Sequence, residues 1–204
     1  QSPDGLLGWT VSRYRSWADL YKSIRFCNLY FSKVDEIPFK DNLIDGKSLK
    51  DRMTGEMHFL RAYNYFMLVS TYGGVPIIED PYILTDEFLK ERSSFEDCIN
   101  FIVNELDKAA ELLPLVQSGV NDGRSTKGAA LALKSRTLLY AASDLYNTNI
   151  FASYEKPELI RYTDNSRTER WKRAKDAAKA VIDLGQYQLY KDNPGVTENI
   201  PQNL

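Results

Sequence analysis

The chain has one histidine, two cysteines and three methionines, and no apolar run near the roughly 20 residues a membrane-spanning helix needs. The lone histidine, His58, would have to serve any histidine-based catalytic triad and most zinc sites. It falls between Met57 and Phe59 inside a helical pattern, so it reads as structural. Cys27 and Cys98 each sit in an apolar helical pattern and read as buried thiols, not as a disulfide framework. Basic excess is absent too. The net charge is -2, which argues against nucleic-acid binding. Residues 1–10 lack the basic start and apolar middle of a secretion signal, which leaves the compartment undecided.

Aromatic residues are plentiful, with 13 Tyr, 9 Phe and 3 Trp in 204 residues. At 43% hydrophobic, the chain can bury the core of one domain over residues 1–204. Apolar residues recur at helical spacing in five stretches, at about 11–34, 48–71, 94–113, 126–144 and 168–184. The first carries Trp17, Leu20, Tyr21, Ile24, Cys27, Asn28 and Phe31 on one face. The second is apolar on two faces, which places it between neighbours. Ser48 with Asp51, and Ser94 with Asp97, read as N-caps. The fifth presents Trp171, Ala174, Ala178, Val181 and Ile182, and Gly185 closes it.

The second helix stops at Tyr72-Gly73-Gly74-Val75-Pro76. Glycine tolerates a left-handed cap, and proline cannot continue a helix. Val75, Ile77 and Ile78 then read as a short extended piece, and Gln186 to Tyr190 as a second possible strand. The expected fold is all-α, with helical hairpins in a tetratricopeptide-like right-handed solenoid, long irregular loops and little strand.

Motifs for chemistry are weak. Gly123-Arg-Ser-Thr-Lys-Gly128 has half of a P-loop's glycine spacing, but Ala129-Ala130 replaces the Lys-Ser/Thr that would hold phosphate and magnesium. The loop from Asp41 to Gly46 fails as a calcium site, because Leu43 and Arg52 stand where oxygen ligands are needed. Glu79, Asp80, Glu87, Glu91, Glu96 and Asp97 could by type run glycoside hydrolysis, yet they lie on loops and helix starts. No catalytic residue, metal or cofactor is expected. The aromatics of the two long connections are more informative: Tyr72, Tyr82, Tyr146 and Phe151 fall after the second and fourth helices. Successive repeats send such connections out from one end, and long loops are often functional. With Asp80, Asn147 and Asn149 beside them, exposed tyrosine rings would suit a neutral sugar. The expected ligand-binding set is Tyr72, Asp80, Tyr82, Tyr146 and Asn147.

Glu56-Met-His-Phe-Leu-Arg-Ala62, the aromatic run and Tyr72-Gly-Gly-Val-Pro76 resemble the SusD/RagB family of outer-membrane lipoproteins. Arg92-Ser-Ser-Phe-Glu-Asp97, Gly123-Arg-Ser-Thr-Lys-Gly-Ala-Ala130, Arg136-Thr-Leu-Leu-Tyr140, Trp171-Lys-Arg-Ala174 and Gly185-Gln-Tyr-Gln-Leu189 extend the resemblance in order. The resemblance implies a tetratricopeptide-like scaffold at the cell surface. It would bind oligosaccharides, or peptides in some branches, and pass them to a TonB-dependent (SusC-like) transporter. It implies no enzyme activity and no cofactor. Family members are longer, so this chain is expected to be an N-terminal piece without the C-terminal half. Neither Cys27 nor Cys98 fits the lipidated cysteine. A helical-repeat interaction scaffold without glycan affinity is the competing reading, and a hydrolase the third.

Overall fold

The computed structural model describes residues 16–40, 42–82, 89–149 and 153–189. Five helices account for its frame: α1 Trp17–Phe31, α2 Leu49–Tyr72, α3 Phe95–Leu112, α4 Lys127–Ala142 and α5 Arg167–Asp183. Each lies where apolar periodicity places it, though α1 is shorter than expected, and residues 11–15 lie outside the described ones. The caps follow from the sequence. Ser48 Oγ accepts the Asp51 amide at 3.0 Å, and the Asp51 carboxylate accepts the Ser48 amide at 3.1 Å, a reciprocal capping box. Ser94 accepts the Asp97 amide at 3.0 Å, and Thr126 accepts that of Ala129 at 3.2 Å.

The helices pack in chain order, each on the next, as in a helical-repeat array. α2 is packed between α1 and α3, as a helix apolar on two faces must be. Its Tyr65, Leu68 and Val69 join Phe95, Ile99, Ile102 and Leu106 of α3 in one continuous core. No β-strand forms among the described residues, and the Ile44–Lys47 pair is an isolated bridge. Residues 75–78 have their extended course but no strand partner, and 186–189 are irregular, against the expectation of a strand. α5 also differs from its reading. It buries Arg170, Ala174 and Ala177, whereas Trp171 and Ile182 are 42% and 76% exposed. Small alanines let α5 sit close on α4, and the larger residues fall on the outer side.

The diglycine is where three parts of the chain meet. Gly73 adopts φ 74° and ψ -143°, a region that side chains avoid. A Cβ on Gly73 would collide with the Leu159 carbonyl oxygen, and one on Gly74 with that of Ser93. The Gly74 amide donates to Leu159 O at 2.6 Å. Arg92 closes the corner by donating to the carbonyls of Gly74 and Tyr72, both at 2.7 Å. The connection after α4 therefore does meet the connection after α2, at the point where the aromatic helix stops.

Candidate ligand-binding site

Beyond the diglycine, side chains from two helices hold residues 76–79 in place. The Tyr21 hydroxyl of α1 donates to Pro76 O at 2.6 Å. From α2, the Tyr65 hydroxyl accepts the Ile78 amide at 2.7 Å. Asn28 Nδ2 donates to Ile78 O at 2.9 Å. These backbone groups thus find partners without a sheet. Burial raises the Tyr21 and Tyr65 hydroxyls well above the ordinary tyrosine range, so both stay protonated.

Behind this contact lies a buried polar network. Arg61 NH1 donates to Asn28 Oδ1 at 2.8 Å and Arg61 Nε to Glu105 Oε2 at 2.7 Å. His58 Nδ1 lies 2.8 Å from the same oxygen, and Lys108 reaches Oε1 at 3.1 Å. The Arg61 guanidinium lies over the Phe31 ring, 4.4 Å from its centre. Burial pushes the Glu105 carboxyl up, but the bonds from His58 and Arg61 outweigh it and hold it at about 2. The lone histidine is thus part of a structural hydrogen-bond network. Such a network ties α1, α2 and α3 to the 76–79 segment.

The segment and α1 enclose a cavity of about 340 Å³. Its wall includes Tyr21, Asn28, Ile78, Asp80 and Tyr82, with Lys22 and Arg25 from the flank of α1. Asp80 and Tyr82 from the expected ligand set meet here. Tyr72 stands nearby along a chain of rings. Its ring meets Trp17 edge-on at 5.2 Å, and Trp17 lies 4.9 Å from Tyr21. Trp17 is 39% exposed.

Tyr146 and Asn147 are not at this cavity. The expectation of an exposed ring at Tyr146 is corrected: it is 7% exposed and stacks on Phe95 at 4.3 Å, with Tyr162 edge-on to the same Phe95. An aromatic with a core ring within stacking distance is drawn inward by the area it buries. Asn147 spends its amide on the fold. Nδ2 donates to the carbonyls of Ala141 and Ser143, both at 2.8 Å, and Oδ1 accepts from Arg170 Nε at 2.6 Å. Asn149 is exposed, and Phe151 lies outside the described residues.

The α1 contribution was missed in the sequence. Tyr21 and Asn28 carry the helical period and read as core, and Lys22 and Arg25 are ordinary helix-surface residues until the 78–82 segment is laid beside them. The other tested motifs are structural. Arg124 of the glycine-spaced stretch donates to the Glu56 carboxylate at 2.7 and 2.5 Å, and Asp45 of the rejected calcium loop accepts the Leu115 amide at 2.8 Å. Among the described residues no group of three or more His, Cys, Asp or Glu side chains could hold a metal ion, and no helix is long and apolar enough to cross a membrane.

Five helices packed in series, with an aromatic cavity where a long connection lies against the first, define a helical-repeat protein. Residues 8–139 match the SusD-like family model described as "Starch-binding associating with outer membrane". The chain belongs to this SusD-like family. It is 28% identical over 130 residues to the SusD-like protein P38 of Formosa agariphila, covering 63% of this chain and 24% of that protein. A crystal structure of a SusD-like protein from Bacteroides fragilis is similar at TM-score 0.65 and 34% identity, over 85% of this chain and 27% of that one. A protein described as a laminarin-binding SusD-like protein is similar at TM-score 0.56 and 29% identity, over 67% of this chain and 30% of its own. The chain spans about a quarter of the length of the curated relatives it matches.

Proposed function

We propose that this chain is part of a cell-surface lipoprotein that captures an oligosaccharide and passes it to a TonB-dependent transporter. The observation that carries this reading is the cavity between α1 and residues 78–82, with Tyr21 and Tyr82 in its wall and Asp80 beside them. A tyrosine ring offers an apolar face to the C–H side of a sugar, and a carboxylate or amide accepts or donates to its hydroxyls. Membership of a family described as starch-binding and associating with the outer membrane supports both the ligand class and the location. The laminarin-binding relative supports a glucan among the first ligands to try. Of the expected ligand set, this reading keeps Asp80 and Tyr82, which line the cavity, and Tyr72, whose ring meets Trp17 beside it. In this reading the protein binds its ligand and leaves it unchanged.

Calorimetric titration of the chain with soluble laminari-oligosaccharides and malto-oligosaccharides tests the proposal. Binding of at least one, weakened by Tyr82→Ala with the helical signal unchanged, is the expected result. Full affinity in Tyr82→Ala and Asp80→Ala removes the cavity as the site.

A second reading is a protein-interaction scaffold without glycan affinity. It is favoured by a groove of about 400 Å³ among α3, α4 and α5, floored by Val103, Leu131, Leu138 and Ala177 and edged by Asp107, Lys134, Arg173 and Asp176. Silence towards every glycan, together with a stable complex with a purified protein partner, supports that reading.

A further inference from the structure

We infer that the α1 cavity takes an oligosaccharide bearing anionic groups, carboxylate or sulfate, and that Lys22 and Arg25 recognise them. The inference rests on the oligosaccharide reading above and narrows its ligand class.

Lys22 and Arg25 stand three residues apart on α1, so their side chains share one face of the helix, and both line the cavity. Both are exposed, and neither has a hydrogen-bond or ion-pair partner among the described residues. Ten other lysines and arginines among the described residues form ion pairs, whereas these two cations meet at a cavity wall with their charge uncompensated by a paired acid. Asp80 lines the same cavity, yet no ion pair links it to either cation. The wall thus carries two cations and one acid, a net charge of +1, in a chain whose total is -2. Local charge opposes the sign of the whole molecule at this place.

The rest of the wall suits a sugar chain and not a bare anion. Ala18, Ile24 and Ile78 are apolar, and Tyr21 and Tyr82 add ring faces. Asn28 is buried and committed to Ile78 O and Arg61, so it braces the wall. The division of labour follows from chemistry. The rings and apolar residues take the C–H faces of the sugar, and Asp80 accepts hydroxyl hydrogens. Arg25 offers the planar fork that matches a carboxylate or sulfate with two parallel bonds, while Lys22 adds a point charge.

The test compares probes that differ only in charge. Oligogalacturonate and its methyl ester share one backbone, as do sulfated and unsulfated laminari-oligosaccharide. Each is titrated into the full chain at low and near-physiological salt, and again into Lys22→Gln, Arg25→Gln and the double variant. Both positions are exposed, so the variants are expected to keep the parent's circular dichroism. Expected is an affinity about tenfold higher for one charged probe than for its uncharged counterpart, as two exposed charge contacts would give. The gap should shrink with salt and close in the double variant. Preference within the first pair assigns carboxylate as the recognised group, and preference within the second assigns sulfate. Equal affinity for charged and uncharged members of both pairs, with no effect of the double variant, overturns the inference. In that case weakening of both members by Tyr82→Ala leaves the oligosaccharide reading standing. No binding of any probe overturns both.

Discussion

The Gly74 amide donates to the carbonyl oxygen of Leu159 at 2.6 Å, joining two connections 85 residues apart in the chain. The bond is possible because neither Gly73 nor Gly74 has a Cβ. At Gly73 the backbone lies in a glycine region and the Leu159 carbonyl fills the Cβ position, and at Gly74 the Ser93 carbonyl does. A side chain at either place must displace backbone.

Gly73→Ala and Gly74→Ala should therefore each destabilise the fold by about 1–3 kcal/mol, from backbone strain together with a collision at the first and overpacking at the second. Urea denaturation followed by far-ultraviolet circular dichroism measures this. Gly123→Ala is the control. It also has a positive φ of 84°, but open space surrounds its Cβ position, so strain acts there without a collision and the loss should be smaller.

Glu105 ties stability to acid. Its carboxyl is held at about 2, below the ordinary 4.5, because the bonds from His58 and Arg61 outweigh the effect of burial. A folded-state value below the unfolded one means that the group stabilises the fold above pH 4.5. That contribution drains away as pH falls from 4.5 towards 2. The urea midpoint should drop across this window, and Glu105→Gln should flatten the drop. Arg61→Ala should cost more than a surface change, about 3–5 kcal/mol, since it leaves a buried carboxylate short of its closest partner. An unaltered pH profile in Glu105→Gln would count against the network.

The five helices were legible because each repeats its apolar residues at one period, and α2, α3 and α4 also begin at a side chain that caps them. Ser48, Ser94 and Thr126 stand at the starts and Gly73 at a stop, all local signals. Long-range partners leave no such trace. Tyr146 looked free for a ligand because it follows a helix in a polar loop, and only the fold brings Phe95 against it from 51 residues away. Trp171 misled in the opposite direction. Its place in an apolar period suggested burial, but α5 faces its neighbour with alanines, and the ring lies outside. Tyr82 and Asp80 could be picked out as candidates because they lie in a long connection outside any helix. Their α1 companions needed the 76–79 segment laid against α1 before they could be seen.

Burial should silence both thiols. The Cys27 and Cys98 thiols are each pushed up to about 11, chiefly by desolvation, so at neutral pH almost no thiolate is present. Cys98 is further occupied, with Sγ 3.4 Å from both the amide and the carbonyl of Val75. An aromatic disulfide reagent at pH 7 should titrate neither thiol in the native chain and both in denaturant. Fast reaction of Cys98 in the native chain would show that the Val75 corner opens.

Asn147 separates a fold role from a ligand role. Its side chain holds the end of α4 through Ala141 O and Ser143 O and gives Arg170 Nε an acceptor. Arg170 is buried. NH1 reaches Asp164 at 2.6 Å, the guanidinium lies 3.9 Å over Tyr162, and NH2 has no partner among the described residues. Removing the Asn147 amide leaves this buried cation with a single hydrogen-bonded acceptor, at a cost of about 2 kcal/mol. Asn147→Ala should lower the urea midpoint while any oligosaccharide affinity of the α1 cavity stays at the parent's value. Unchanged stability with lost affinity would return Asn147 to the ligand and move the site to the α4 end of the array.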